Sequence, residues 1–182
     1  MTAVTRRELL RKSLLSGAGL LVAFHVPRKA GAVPESAGKP PPDPNAFVRV
    51  APDESVTVLL AHSEMGQGIW TGLAMLIAEE LDCDWSRIRV EHAPAAPVYA
   101  HPAFGMQMTG GSTTSWSEFE RYRTVGAMAR AMLVRAAATQ WKTDAKRLRT
   151  ENGFVLRGND RLSYGQLAVA AQAQTPPKSE KL

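Results

Sequence analysis

Apolar residues recur along this chain at two different spacings, and the switch between them divides it into elements. Phe47-Val48-Arg49-Val50 alternates, and Val56-Thr57-Val58-Leu59-Leu60 is a β-branched, apolar run of strand length. The Ala-Pro-Asp-Glu-Ser between them is a turn, so the pair reads as a β-hairpin. Ile69, Leu73, Leu76, Ile77 and Leu81 then fall at helical spacing and predict a helix over 69–81. Trp85 to His92 alternates again, as a half-exposed strand does, and strand–helix–strand is a βαβ unit. Pro94, Pro97 and Pro102 make residues 93–108 irregular, a long loop of the kind that more often carries function than not.

No proline interrupts the chain from Ser112 to Trp141, where Trp116, Phe119, Val125, Ala129, Met132, Leu133 and Ala136 form an apolar stripe on one long helix. Asn152-Gly153 marks a turn before the strand Phe154-Val155-Leu156, and Ser163-x-x-Gln166 is a capping box that opens a short helix. The pattern as a whole predicts a two-layer α+β fold of order β-β-α-β-α-β, with the helices beginning near Ile69 and Ser112 on one face of a mixed sheet.

The chemistry concentrates at the two helix starts. Met65-Gly66-Gln67-Gly68 joins the strand 56–60 to the helix at Ile69. Two glycines one residue apart let backbone approach a ligand and take positive φ, and a helix start directs free N–H groups at an anion. Taken alone, this pattern is more often a plain strand-to-helix turn: it lacks the third glycine of a dinucleotide fingerprint and the Lys-Ser/Thr of a P-loop. Thr109-Gly110-Gly111-Ser112-Thr113 repeats the arrangement before the long helix, with Ser/Thr at the expected N-cap. Two such loops suit one extended anion, a pyrophosphate above all.

Ser63-Glu64-Met65-Gly66-Gln67-Gly68, the following Leu-Ala-Met-Leu-Ile-Ala-Glu-Glu-Leu, and Phe104-Gly105-Met106-Gln107-Met108-Thr109-Gly110-Gly111-Ser112 together resemble the molybdopterin-binding subunit of the molybdenum hydroxylases, the xanthine oxidase family. The resemblance is strongest to isoquinoline 1-oxidoreductase beta subunits and periplasmic aldehyde dehydrogenases. It implies a molybdopterin-binding domain over 46–174 in which Met65, Gly66, Gln67, Gly68, Thr109, Gly110, Gly111, Ser112 and Thr113 hold a molybdopterin dinucleotide, the cytosine form being favoured. Gln67 is the side chain expected to reach the pterin. The resemblance further implies hydroxylation of N-heteroaromatics or oxidation of aldehydes, a separate iron–sulfur subunit, and a c-type cytochrome as a candidate acceptor.

Charge and composition narrow this picture. The formal net charge is +5, yet residues 1–32 hold six of the 22 bases and one of the 17 acids, leaving 16 against 16. No nucleic-acid surface is expected outside that leader, although Lys142 to Arg149 is a local basic cluster. The leader itself has Arg6-Arg7, an apolar run from Leu14 to Phe24 and Ala30-Gly31-Ala32, the pattern of a twin-arginine export signal with its cleavage site. That run is about half the ~20 residues a membrane span needs, so the chain is expected to be periplasmic and not transmembrane after cleavage. Residues 33–45 read as a proline-rich linker and 175–182 as a polar tail.

Cys83 is the lone cysteine, which excludes an iron–sulfur cluster held by this chain, and no histidine spacing suggests a metal pair. In the resembled subunits the general base and most of the pocket come from later domains. No catalytic residue is therefore assigned here, and Glu64, Glu79 and Glu80 are read as capping or solvent-facing. The remaining domains of a larger subunit are the expected partners. A small exported phosphate-ligand-binding module and an inactive truncated product are the alternatives.

Overall fold

The computed structural model describes residues 44–177; the leader, the linker up to Asp43 and the last five residues lie outside it. After a helical turn at Pro44–Phe47 come β1 (Val48–Val50) and β2 (Val56–Leu60), paired antiparallel with Val48 opposite Val58. Helix α1 (Ile69–Leu81) crosses over to β3 (Ile88–His92), which lies parallel to β2 with Val58 opposite Val90. The order β1-β2-β3 is the expected hairpin and βαβ unit in one mixed sheet. Helix α2 (Thr113–Trp141) follows, and the chain ends in β4 (Arg149–Glu151), β5 (Phe154–Arg157), β6 (Asp160–Ser163) and helix α3 (Tyr164–Gln172).

Several local features depart from expectation. Pro44–Phe47 form a helical turn where the end of the linker and the first strand residue were expected, so the strand expected from Phe47 begins at Val48. The single strand expected at 154–156 is the centre of a separate antiparallel meander, β4-β5-β6. Its flanking strands, Arg-Thr-Glu and Asp-Arg-Leu-Ser, hold one apolar residue between them, Leu162, and so carry no alternating apolar signature. The strand expected from Trp85 begins only at Ile88, because Asp84 accepts the Ser86 N–H and winds Trp85–Arg87 into a 3-10 turn.

The core lies between the first sheet and the helices. Leu73, Ala74, Ile77 and Leu81 of α1 and Tyr122, Val125, Met132, Leu133 and Ala136 of α2 pack on Val56, Val58 and Leu60. Tyr122 closes the end of β2: its hydroxyl donates to the Leu59 carbonyl and accepts from the Ala61 N–H, both at 3.1 Å. Glu80 is buried, contrary to the solvent-facing reading, because Arg123 reaches it from α2 at 2.7 Å. Cys83 packs against the core, where burial pushes its thiol up to about 12, so it is an inert neutral thiol. No described helix is long and apolar enough to cross a membrane.

Candidate functional site

The connection from β2 to α1 is a loop held together by its own side chains. Glu64 Oε1 accepts the N–H groups of Gly66 and Gly68 at 2.8 and 3.0 Å, and Oε2 accepts that of Trp70 at 3.0 Å. The glycines supply the conformation this requires, with φ of 95° at Gly66 and 77° at Gly68. Gln67 is used within the same loop: its Oε1 accepts from Met65 N and its Nε2 donates to the Ser63 carbonyl. Glu64 therefore caps α1, as read from the sequence. The N–H groups expected to be free at that helix start are engaged by a carboxylate, and Gln67 is a staple of the loop here.

Those N–H groups, Trp70's first, hold the Glu64 carboxyl below the ordinary glutamate range. A depressed native pKa means that the cap's contribution is present above the unfolded-state value and is lost as pH falls through the native one. The amide resonances of Gly66, Gly68 and Trp70 should accordingly shift together in an NMR titration, with one midpoint below that of an ordinary glutamate. Independent midpoints, or none below that range, would rule the shared cap out.

The second loop differs. Gly111 and Ser112 both sit in the left-handed region, φ 59° and 55°, and Ser112 occupies the N-cap position of α2 without making a side-chain cap, contrary to expectation. Among the described residues no acceptor meets the N–H groups of Gly111 or Ser112. The Thr113 hydroxyl is buried and without a hydrogen-bond partner. A buried hydroxyl left unpaired is costly, and such groups mark places where something else binds.

The two loops touch. Ser63 N donates to Thr109 Oγ1 at 2.9 Å across 46 residues of sequence, directly joining the segment that leads into Met65-Gly66-Gln67-Gly68 to the one that leads into Gly110-Gly111. Met65, Gly66, Gln67, Gly68, Gly111 and Ser112 are all exposed, so the loops meet at open surface rather than around a closed cavity.

A buried network beneath this surface was not evident in the sequence. His62 Nδ1 lies 3.2 Å from Thr114 Oγ1, and its Nε2 lies 3.6 Å from Glu118 Oε1. Glu118 is fully buried and also meets Ser117 Oγ and Arg121, whose guanidinium donates onward to the carbonyls of Val98 and Ala100. Burial pushes the Glu118 carboxyl up, but the His62 ring and the Arg121 charge together outweigh it and leave the carboxyl below its ordinary range. His62, Glu118 and Arg121 thus tie the end of β2, the start of α2 and the loop 97–101 into one unit.

That network also corrects the phase of the apolar stripe on α2. Glu118 and Tyr122 face inward, whereas Trp116 and Phe119, expected in the core, are 58% and 47% exposed. Trp116 packs instead on His101 and Phe104 beside the loops. No group of three or more His, Cys, Asp or Glu gathers as a metal site among the described residues.

Residues 5–181 match the profile of the molybdopterin cofactor-binding domain. The chain belongs to that family. The molybdopterin-binding domain is 41% identical over 174 residues to the isoquinoline 1-oxidoreductase subunit beta of Brevundimonas diminuta, a match covering 91% of this chain and 22% of that protein. It is 31% identical to the membrane-bound aldehyde dehydrogenase [pyrroloquinoline-quinone] of Gluconacetobacter polyoxogenes, covering 99% of this chain and 23% of that one. The chain thus spans less than a quarter of the curated relatives it matches. Quinoline 2-oxidoreductase from Pseudomonas putida 86 shares the fold with a TM-score of 0.53 at 18% identity, over 73% of this chain and 17% of that structure.

Proposed function

We propose that this domain holds a molybdopterin dinucleotide, in its cytosine form, at the paired loops Met65–Gly68 and Thr109–Thr113, as part of an exported, periplasmic oxidoreductase. The observation that carries the reading is the Ser63–Thr109 hydrogen bond, which brings two glycine-bearing loops distant in sequence to one surface. The chemistry of that surface fits the group best at the second loop. There the N–H groups of Gly111 and Ser112 and the orphaned Thr113 hydroxyl are donors suited to phosphate oxygens, while the Glu64-stapled first loop is a rigid wall against which the pterin rests.

When bound, the cofactor supplies the oxidative chemistry, hydroxylation of an N-heteroaromatic or oxidation of an aldehyde. The chain's own part is to bind and orient. Glu64 is consumed by its cap and Glu118 is buried and paired, so neither is a general base, and that base belongs to further domains. The exposed Phe104, Met106 and Trp116 around the loops are the apolar rim such domains would cover. A separate iron–sulfur subunit, with a c-type cytochrome beyond it, completes the electron path in this reading.

Thr109 supplies the test, with the protein purified from its native host along with the chains it assembles with. Thr109→Val keeps the shape and removes the acceptor of the Ser63 N–H, so molybdenum per chain should fall while Thr109→Ser retains it. Molybdenum equal in all three proteins would overturn the reading, as would quinone absorbance in place of molybdenum.

A further inference from the structure

The second half of α2 carries a feature that cofactor binding leaves unused. A groove of about 510 Å3 runs between this helix and the segment 145–150, lined on the helix side by Ala127, Arg130, Ala131, Val134 and Arg135 and on the other by Lys146, Leu148 and Arg149. Ala127, Ala131, Val134 and Leu148 give it an apolar lining, with Arg130 and Arg135 on one side and Lys146 and Arg149 on the other, Arg149 paired with Glu151; no acidic side chain is among its described lining residues. It starts roughly 20 Å along the helix from Thr113, at 1.5 Å per residue, so it is a separate surface from the paired loops. It also takes in Lys146 and Arg149 of the basic cluster noted between Lys142 and Arg149.

We propose that this groove docks an extended acidic segment of a partner polypeptide. Cations along both sides of an apolar groove are complementary to a strand whose carboxylates point both ways while its apolar side chains rest on Ala131, Val134 and Leu148. Among the described lining residues there is no aromatic side chain on which bases could stack, which disfavours single-stranded nucleic acid. One end of the groove already shows the mode of capture: Arg135 Nη1 donates to the main-chain carbonyl of Thr175 at 3.1 Å, in a stretch without helix or strand. Arg130 and Lys146 make no ion pair or side-chain hydrogen bond with other described residues, so their charges are available to a partner. The inference stands apart from the cofactor assignment, because it uses none of the loop residues.

The test uses the 182-residue chain and a labelled synthetic peptide of alternating glutamate and leucine, with its glutamine counterpart, read by fluorescence anisotropy. The acidic peptide should bind in a salt-dependent manner, and Arg130→Glu with Lys146→Glu should weaken it at least about tenfold, ~1.4 kcal/mol. Arg89→Glu, an exposed charge reversal on β3, should leave binding nearly unchanged, and circular dichroism should show all variants folded. The docking site is overturned if the glutamine peptide binds equally, if Arg89→Glu weakens binding as much, or if inorganic pyrophosphate at matched charge competes as well as the peptide. Concentration-dependent dimerisation that excludes the peptide would assign the groove to a second copy instead.

Discussion

Gly111→Val should empty the protein of molybdenum while leaving it folded. Gly111 has φ +59°, a conformation that a β-branched residue strongly resists, and a Cβ built there meets nothing within 4 Å. The new side chain therefore clashes with no part of the chain and projects into the open space that the proposed ligand would fill. Backbone strain alone could also loosen the loop, and Gly158 separates the two effects. It too has φ +59° with nothing within 4 Å, but it lies in the turn between β5 and β6. Gly158→Val therefore has the same local cost, about 1–3 kcal/mol, without touching the loops. The expected result is molybdenum reduced at least about tenfold in Gly111→Val, ~1.4 kcal/mol of lost binding, and retained in Gly158→Val. Gly66→Val should behave like Gly111→Val. Equal metal in the Gly111 and Gly158 variants would remove the second loop from the site.

The largest effect on stability should come from Gly126→Val. Gly126 lies on α2 where it crosses α1, and a Cβ there would sit 2.9 Å from both the Ile77 carbonyl oxygen and Glu80 Cβ. A backbone oxygen inside a helix cannot step aside, so the helices must separate, and the Arg123–Glu80 pair beside the crossing separates with them. Overpacking of this kind costs about 3 kcal/mol, a melting temperature lower by roughly 6–12 °C in a chain of this size. Gly72→Ala makes the opposite prediction from the same chemistry. Gly72 is interior to α1 with nothing within 4 Å of its added Cβ, so alanine should stabilise by about 0.4–1 kcal/mol. Thermal melts that moved both variants in one direction would contradict the packing described.

What the sequence made legible, and what it hid, follows from the range of the forces involved. Helix α1 was readable to its end residues because a glycine-rich turn, an uninterrupted helical period and a change of period at Asp82 all act locally. The Ser163–Gln166 capping box formed as read for the same reason. The phase of α2 was misread because Glu118 is buried by partners distant in sequence, His62 above all, and those contacts free Trp116 and Phe119 to lie outside. The glycine loops could be located from composition. That Glu64 would occupy the donors of the first could not, since the same residues permit a carboxylate or a ligand at that helix start. The resemblance to the family did not depend on these details, because it rests on the residues of the two loops and not on which groups occupy their donors.

The turn between β1 and β2 is tied to the far end of the described chain. Glu54 there has φ 68°, and its carboxylate accepts from Ser163 Oγ and from Gly165 N at 2.9 Å, 111 residues further on. Helix α3 is thus capped in part from the opposite end of the described chain, and a Cβ on Gly165 would meet that carboxylate at 2.6 Å. The hairpin and the meander are local and can form early, but the ring they close through Glu54 must wait until nearly the whole chain is in place. Glu54 is therefore expected to be a late contact, and Glu54→Gln should show mainly as faster unfolding in stopped-flow kinetics, with the folding rate little changed.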